Sequence, residues 1–163
     1  MNTTWGSAAP TLARRELLRV AGRLVRSDAP GCRSFPFRVP PGVARLGLVL
    51  HWEPWAKEWE EAAALRDALA DNARRVGRPV EASDYPGLHR PKNFLSLAVY
   101  DPLGYRGTRH RLEGRQVVEL DSEAATPGYE VRPLVPGRWR VAVAVRSMVS
   151  RGCCFELAVW GER

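Results

Sequence analysis

Histidine and cysteine are the side chains best suited to metal and nucleophilic chemistry, and this chain has three of each. They are His51, His89 and His110, with Cys32, Cys153 and Cys154. No His-x-His, His-Glu-x-x-His or Cys-x-x-Cys spacing occurs among them. A structural zinc site needs four such groups to converge tetrahedrally. Cys153 and Cys154 are neighbours, and neighbours in a strand point to opposite faces. They would therefore bridge each other poorly. Cys153 shares its parity with Phe155 and Leu157, which predicts apolar burial rather than ligation. No Gly-x-Ser-x-Gly elbow is present, and neither Ser96 nor Ser150 has a local base beside it. Glu60 and Glu61 are adjacent, so on a helix they face different ways and suit a solvated surface. Gly104-Tyr-Arg-Gly107 is too short for a phosphate loop. The expectation is a chain with no catalytic residue, no metal and no cofactor of its own.

Two groups of residues remain that could hold a ligand. Three of the six tryptophans lie close together, at Trp52, Trp55 and Trp59. Indole rings can stack sugars or bases, but a stripe of them can equally pack a helix onto a sheet. The second group is Tyr105, Arg106, Arg109 and His110, a basic aromatic stretch able to meet a phosphate. No nucleic-acid-binding motif surrounds it, and a solvated loop is the plainer reading.

Composition sharpens this. The formal charge is +7 with a pI near 10.0. All but two of the 25 basic residues are arginine; Lys57 and Lys92 are the exceptions. They are spread along the chain, with a modest cluster at Arg14, Arg15, Arg19, Arg23 and Arg26. Richness in Arg, Ala, Gly and Pro reads as genome composition rather than as a polyanion surface. Nucleic acid is therefore not the expected partner. An odd cysteine count gives no disulfide framework and suits a reducing compartment. Residues 1–10 lead into no apolar stretch of a secretory signal. The longest apolar runs are about five residues, far short of the ~20 a membrane helix needs. These features predict a cytoplasmic protein.

The elements that would position these groups are mostly short strands. Residues 1–13 read as a flexible tail. Leu18, Val20, Gly22 and Leu24 alternate with polar neighbours, as do Phe35, Phe37 and Val39. Pro36 demotes the second of these to an edge strand or an irregular one. Leu46, Leu48, Leu50 and Trp52 alternate again. The period then changes: Trp55, Trp59, Ala62, Leu69, Ala73 and Val76 recur at helical steps, predicting an amphipathic helix over 54–76. Acids crowd its start, arginines its end, and Gly77 can cap it. Further strands are expected at Phe94–Tyr100, Gln116–Leu120, Trp139–Val145 and Cys153–Val159. Turn signals every ~8–15 residues make this a mainly β chain. The predicted fold is one antiparallel, jelly-roll-like β-sandwich of about seven to nine strands over 14–163, with a helical insertion at 54–92.

One ordered set of motifs resembles a known family. Leu97-Ala-Val-Tyr-Asp101-Pro-Leu-Gly104-Tyr-Arg-Gly107 is followed by Ala125-Thr-Pro127-Gly128-Tyr129 and then Pro133-Leu-Val-Pro136-Gly137-Arg-Trp139. Upstream stands Phe35-Pro-Phe37-Arg-Val39-Pro-Pro-Gly42-Val-Ala-Arg-Leu46. Over residues 17–160 the chain is similar to the β-sandwich that precedes the catalytic domain in CehA/McbA-type metallohydrolases of the PHP superfamily. The family's metal ligands begin with a His-x-His in the following domain, and this chain has no such motif. The resemblance therefore implies a noncatalytic accessory or binding domain. Its partner would be a separately encoded metallohydrolase or another protein. The alternatives are a fragment or subunit of such a phosphoesterase, and a module for polyanions or carbohydrate. Asp101, Gly104, Gly107, Pro127, Gly128, Tyr129, Pro136, Gly137 and Trp139 are read as structural.

Overall fold

Apolar alternation builds two facing sheets. The computed structural model describes residues 14–55, 70, 71, 73–75, 77, 92–110 and 114–163. Among them are eight strands: β1 Arg14–Val25, β2 Gly31–Val39, β3 Arg45–Glu53, β4 Phe94–Asp101, β5 Gly104–His110, β6 Arg115–Asp121, β7 Gly137–Ser147 and β8 Gly152–Glu162. One four-stranded sheet has the order β1-β8-β3-β6, the other β2-β7-β4-β5. The pairings within both are antiparallel. Only the β4–β5 hairpin stays within a sheet; every other link between successive strands crosses to the opposite one. This is the double Greek key of a jelly roll, as the strand pattern predicts. No helix among the described residues is long and apolar enough to cross a membrane.

The inner faces make one core. Leu24, Leu46, Leu48, Leu50, Val118, Leu157 and Val159 come from the first sheet, and Val39, Leu95, Leu97, Val99, Val141 and Val143 from the second. Pro36 sits in β2, which is an edge strand, where its missing N–H breaks no ladder. Trp52 is fully buried at the end of β3, with its Nε1 donating to the Asn93 carbonyl at 3.2 Å. Trp139 is buried beside Phe37, its Nε1 bonded to the Val135 carbonyl.

Three elements depart from the sequence reading. The predicted helix does not begin at Pro54. Pro54 and Trp55 are non-helical. Instead the Asn93 side chain donates to the Pro54 carbonyl, and the Asn93 backbone N–H to the Trp55 carbonyl. Ala70, Asp71 and Ala73–Arg75 are helical, and the Gly77 N–H bonds back to the Ala73 carbonyl with Gly77 at φ +68°. The rest of the predicted helix and insertion, including Trp59, and the predicted tail 1–13 lie outside the described residues. The other departures are β5, expected as a loop, and a short 3-10 turn at Arg26–Asp28. β5 lacks apolar alternation because its inward position at Arg106 is charged. Gly107 within it leaves space that another residue would fill. A Cβ there would collide with the Gly128 carbonyl and the Tyr129 backbone, which run alongside β5.

Asn93 ties both ends of the β3–β4 connection to the β7–β8 connection at one end of the sandwich. Its Oδ1 accepts from the N–H groups of Val149 and Ser150 at 2.8 and 3.1 Å. Its Nδ2 donates to the Pro54 carbonyl and to Ser150 Oγ. The residue is fully buried and both side-chain ends are satisfied, as a buried amide requires.

Candidate functional site

The ordered motif set is a frame for the β4–β5 end. The Asp101 Oδ1 accepts the Leu103 N–H at 2.7 Å, which shapes the hairpin turn. Its Oδ2 accepts from Arg132 Nε at 2.8 Å and lies 3.4 Å from Arg106 Nη1. Arg106 is fully buried. It also donates to the carbonyls of Asp121, Arg132 and Pro133, and its guanidinium stands 5.4 Å from the Trp139 ring centroid. Burial pulls the guanidinium below its usual range and the Asp101 charge opposes that. The Tyr129 hydroxyl donates to the Leu97 carbonyl at 2.7 Å, and burial raises its pKa. Thr126 and Tyr129 close the turn that holds Pro127 and Gly128. Pro136 leads into Gly137, the first residue of β7. Gly104 and Gly137 both have positive φ. Each of these contacts ties the β4–β5 end to the segments beside it.

The expected contact surface is divided by the structure. Trp52 and Arg106 do not belong to it, because both side chains are in the interior. Tyr105 is exposed on the outer side of the second sheet, with its ring against Tyr100. His110 is exposed and meets Phe94 edge to face. Trp55 and Arg109 come together elsewhere. Arg109 pairs in register with inward-facing Leu97, so it points toward the gap between the sheets at the open β5 edge. Trp55 is 39% exposed and its ring lies against Gly114, where a Cβ would strike it. The two residues, with His51, Glu53, Gly114, Arg115, Gln116 and Val117, line a groove of about 570 Å³.

This groove continues over the outer face of the first sheet. A second hollow, of about 370 Å³, shares His51, Arg115 and Val117 with it and reaches Val49, Ala158 and Trp160. A third, of about 300 Å³, runs on beside Arg14, Glu16 and Arg19. The strand register explains the continuity. Arg19, Ala158, Val49 and Val117 form one cross-strand row, and Ala21, Glu156, His51 and Arg115 the next. Ala158, Val49 and Val117 line the floor of the first row and Arg19 stands at its β1 edge. Gly47 lies under Trp160, whose indole occupies the space a Cβ would take. From the Gly47 row to the Glu53 row the strand rise gives a trough of about 20 Å.

Charge along the trough is mixed. Arg14 stacks on Trp160 at 3.8 Å, and Lys92 Nζ stands 5.0 Å from the Trp55 ring centroid. Arg19 is engaged by Glu16 and Glu156. His51 Nε2 lies 3.5 Å from Glu53. Arg109 and Arg115 make no ion pair among the described residues. Gln116 is buried, with its Nε2 on the Leu95 carbonyl and its Oε1 without a partner.

Sequence reasoning missed Trp160, Val49, Ala158, Arg115 and His51 as neighbours. The available signal was apolar Val49 and Ala158 at outward parity in their strands. Cys153 is buried and Cys154 exposed, so they diverge as expected. Among the described residues no group of three His, Cys, Asp or Glu converges as a metal site would require.

No family model matches the chain, and no curated protein matches it. A crystal structure of a protein from Sulfurospirillum deleyianum is similar over 86% of this chain and 96% of that one, at 9% identity and a TM-score of 0.31.

Proposed function

We propose that the chain is a noncatalytic binding module: a β-sandwich of the accessory type that precedes PHP metallohydrolases, using the outer face of its β1-β8-β3-β6 sheet as the contact surface. The continuous trough from Trp160 to Trp55 is the observation that carries this reading. Outward apolar side chains on a sheet face normally alternate with polar cover. Here Val49, Ala158 and Val117 adjoin one another in register, so the face holds an apolar strip rimmed by charge. Such a strip suits contact with a ligand better than contact with water alone.

The test combines activity with mapping. Purified chain is assayed against phosphate mono- and diesters with Mn²⁺ or Zn²⁺, and NMR shifts are recorded against a panel of glycans, DNA and acidic peptides. The reading expects no hydrolysis, and shifts concentrated at Val49, His51, Arg115, Val117, Ala158 and Trp160. Turnover by this chain, or shifts confined to the β2-β7-β4-β5 face, would overturn it.

A further inference from the structure

We propose that the trough binds an acidic polysaccharide, with an anionic sugar seated in the groove between Trp55, Arg109 and Arg115. This rests on the binding-module reading and names its ligand class. Two features of the groove converge. Arg109 and Arg115 are cations that no carboxylate among the described residues neutralises, so an incoming anion gains charge-assisted hydrogen bonds without displacing any of those residues. Trp55 packs its Cβ and Cγ against Gly114, is 39% exposed and has Lys92 Nζ 5.0 Å from its ring centroid; its indole offers an apolar wall for the C–H face of a sugar ring, with a cation beside it.

Shape and charge spacing favour an extended glycan over nucleic acid. The trough is long and open, with an indole at each end. Its lining includes Glu16, Glu53 and Glu156 beside Arg14, Arg19, His51, Arg109 and Arg115. A nucleic-acid strand carries a charge about every 3.4 Å and would set phosphates against those carboxylates. An acidic glycan bears its anions on separate sugars, with neutral hydroxylated surface between them that glutamates can accept from. Among the described residues that line the groove with these two arginines, Glu53 is the one acid; it is 71% exposed and lies 3.5 Å from His51 Nε2.

Calorimetric titration of the full chain tests this with four probes. They are an oligouronate, a sulfated heparin oligosaccharide, a neutral gluco-oligosaccharide and duplex DNA. The expected result is binding of one or both acidic glycans. Arg109→Ala and Arg115→Ala should each weaken it about three- to tenfold, with thermal unfolding unchanged. Trp55→Ala removes the ring wall; Trp55→Phe, which keeps a ring, should retain most of the affinity. Preference for the uronate or for the sulfated chain tells which anion is the source. Neutral glycan bound equally well, with both arginine variants silent, overturns the acidic ligand and leaves the module reading standing. DNA bound more tightly than either glycan, with a steep salt slope, overturns the glycan. Binding of no probe, together with no NMR shifts on this face, overturns both.

Discussion

Replacing Asp101 by asparagine separates a structural motif from a ligand site. Among the described residues the Asp101 carboxylate is the one acid paired with the buried Arg106, and its Oδ2 also takes Arg132. In Asp101→Asn the Oδ1 bond to the Leu103 N–H can persist. The amide nitrogen then points donors at two guanidinium groups. Removing one partner of a buried ion pair costs about 3–5 kcal/mol. Arg106 keeps three backbone carbonyls, which places the expected loss near 3 kcal/mol at the lower end of that range. For a domain of this size each kcal/mol moves Tm by about 2–4 °C, so the transition should fall by about 6–12 °C.

Thermal unfolding followed by circular dichroism reads this directly. Glu130→Gln is the control: Glu130 touches Arg132 from an exposed position, and such pairs are worth at most about 1 kcal/mol. Raising salt should leave the Asp101→Asn deficit in place, because buried pairs are screened far less than exposed ones. A fall under 2 °C, or one equal to that of Glu130→Gln, would refute the argument that this motif is a frame. Loss of ligand affinity without loss of stability would do so more sharply.

The remaining predictions concern single groups. Cys32 and Cys154 are exposed while burial raises the Cys153 thiol to about 11; mass spectrometry after alkylation of native protein at pH 8 should therefore find two labels, and three only after denaturation. The Asp28 carboxyl is held below its usual value by the Val25 N–H and by Arg33. Its contribution is present above the unfolded value of about 3.9 and is lost as pH falls through the folded one. Amide exchange at Val25 should accelerate selectively in that acid window, and Asp28→Asn should remove the pH dependence.

How far the fold could be read in advance follows from where its signals are local. Alternation is a property of consecutive residues, so Leu46-Leu48-Leu50-Trp52 and Trp139-Val141-Val143-Val145 announced β3 and β7 without any partner. Pro36 narrowed β2 to an edge or an irregular strand because a missing N–H has a meaning independent of the partner strand, and the sheet order makes it an edge. β5 was invisible for the opposite reason. Gly104-Tyr-Arg-Gly-Thr-Arg-His carries almost no apolar periodicity, and its strand conformation comes from pairing with β4 and from the Gly128–Tyr129 backbone beside it. Its arginine at 106 looked like a surface cation. Only the convergence of Asp101 and three carbonyls makes an interior position tolerable for that charge.

The trough was illegible for a related reason. Each strand states which residues face outward, but antiparallel register decides which of them meet. Val49 and Ala158 are 109 positions apart in sequence and become neighbours only because β3 pairs with β8. A one-residue slip in that pairing would turn the outward set of one strand toward the core, so the same core that fixes Leu48 opposite Val159 also fixes the apolar strip on the other side. The outer surface is in this sense a by-product of inner packing. That makes Gly47 informative, because the core does not require a residue without a side chain on the solvent face of β3. Its vacancy is occupied by the Trp160 indole, with Arg14 stacked above. A glycine that weakens a strand by about 0.5–1 kcal/mol and whose space is filled by a tryptophan on the exposed face is explained by what that face holds in place.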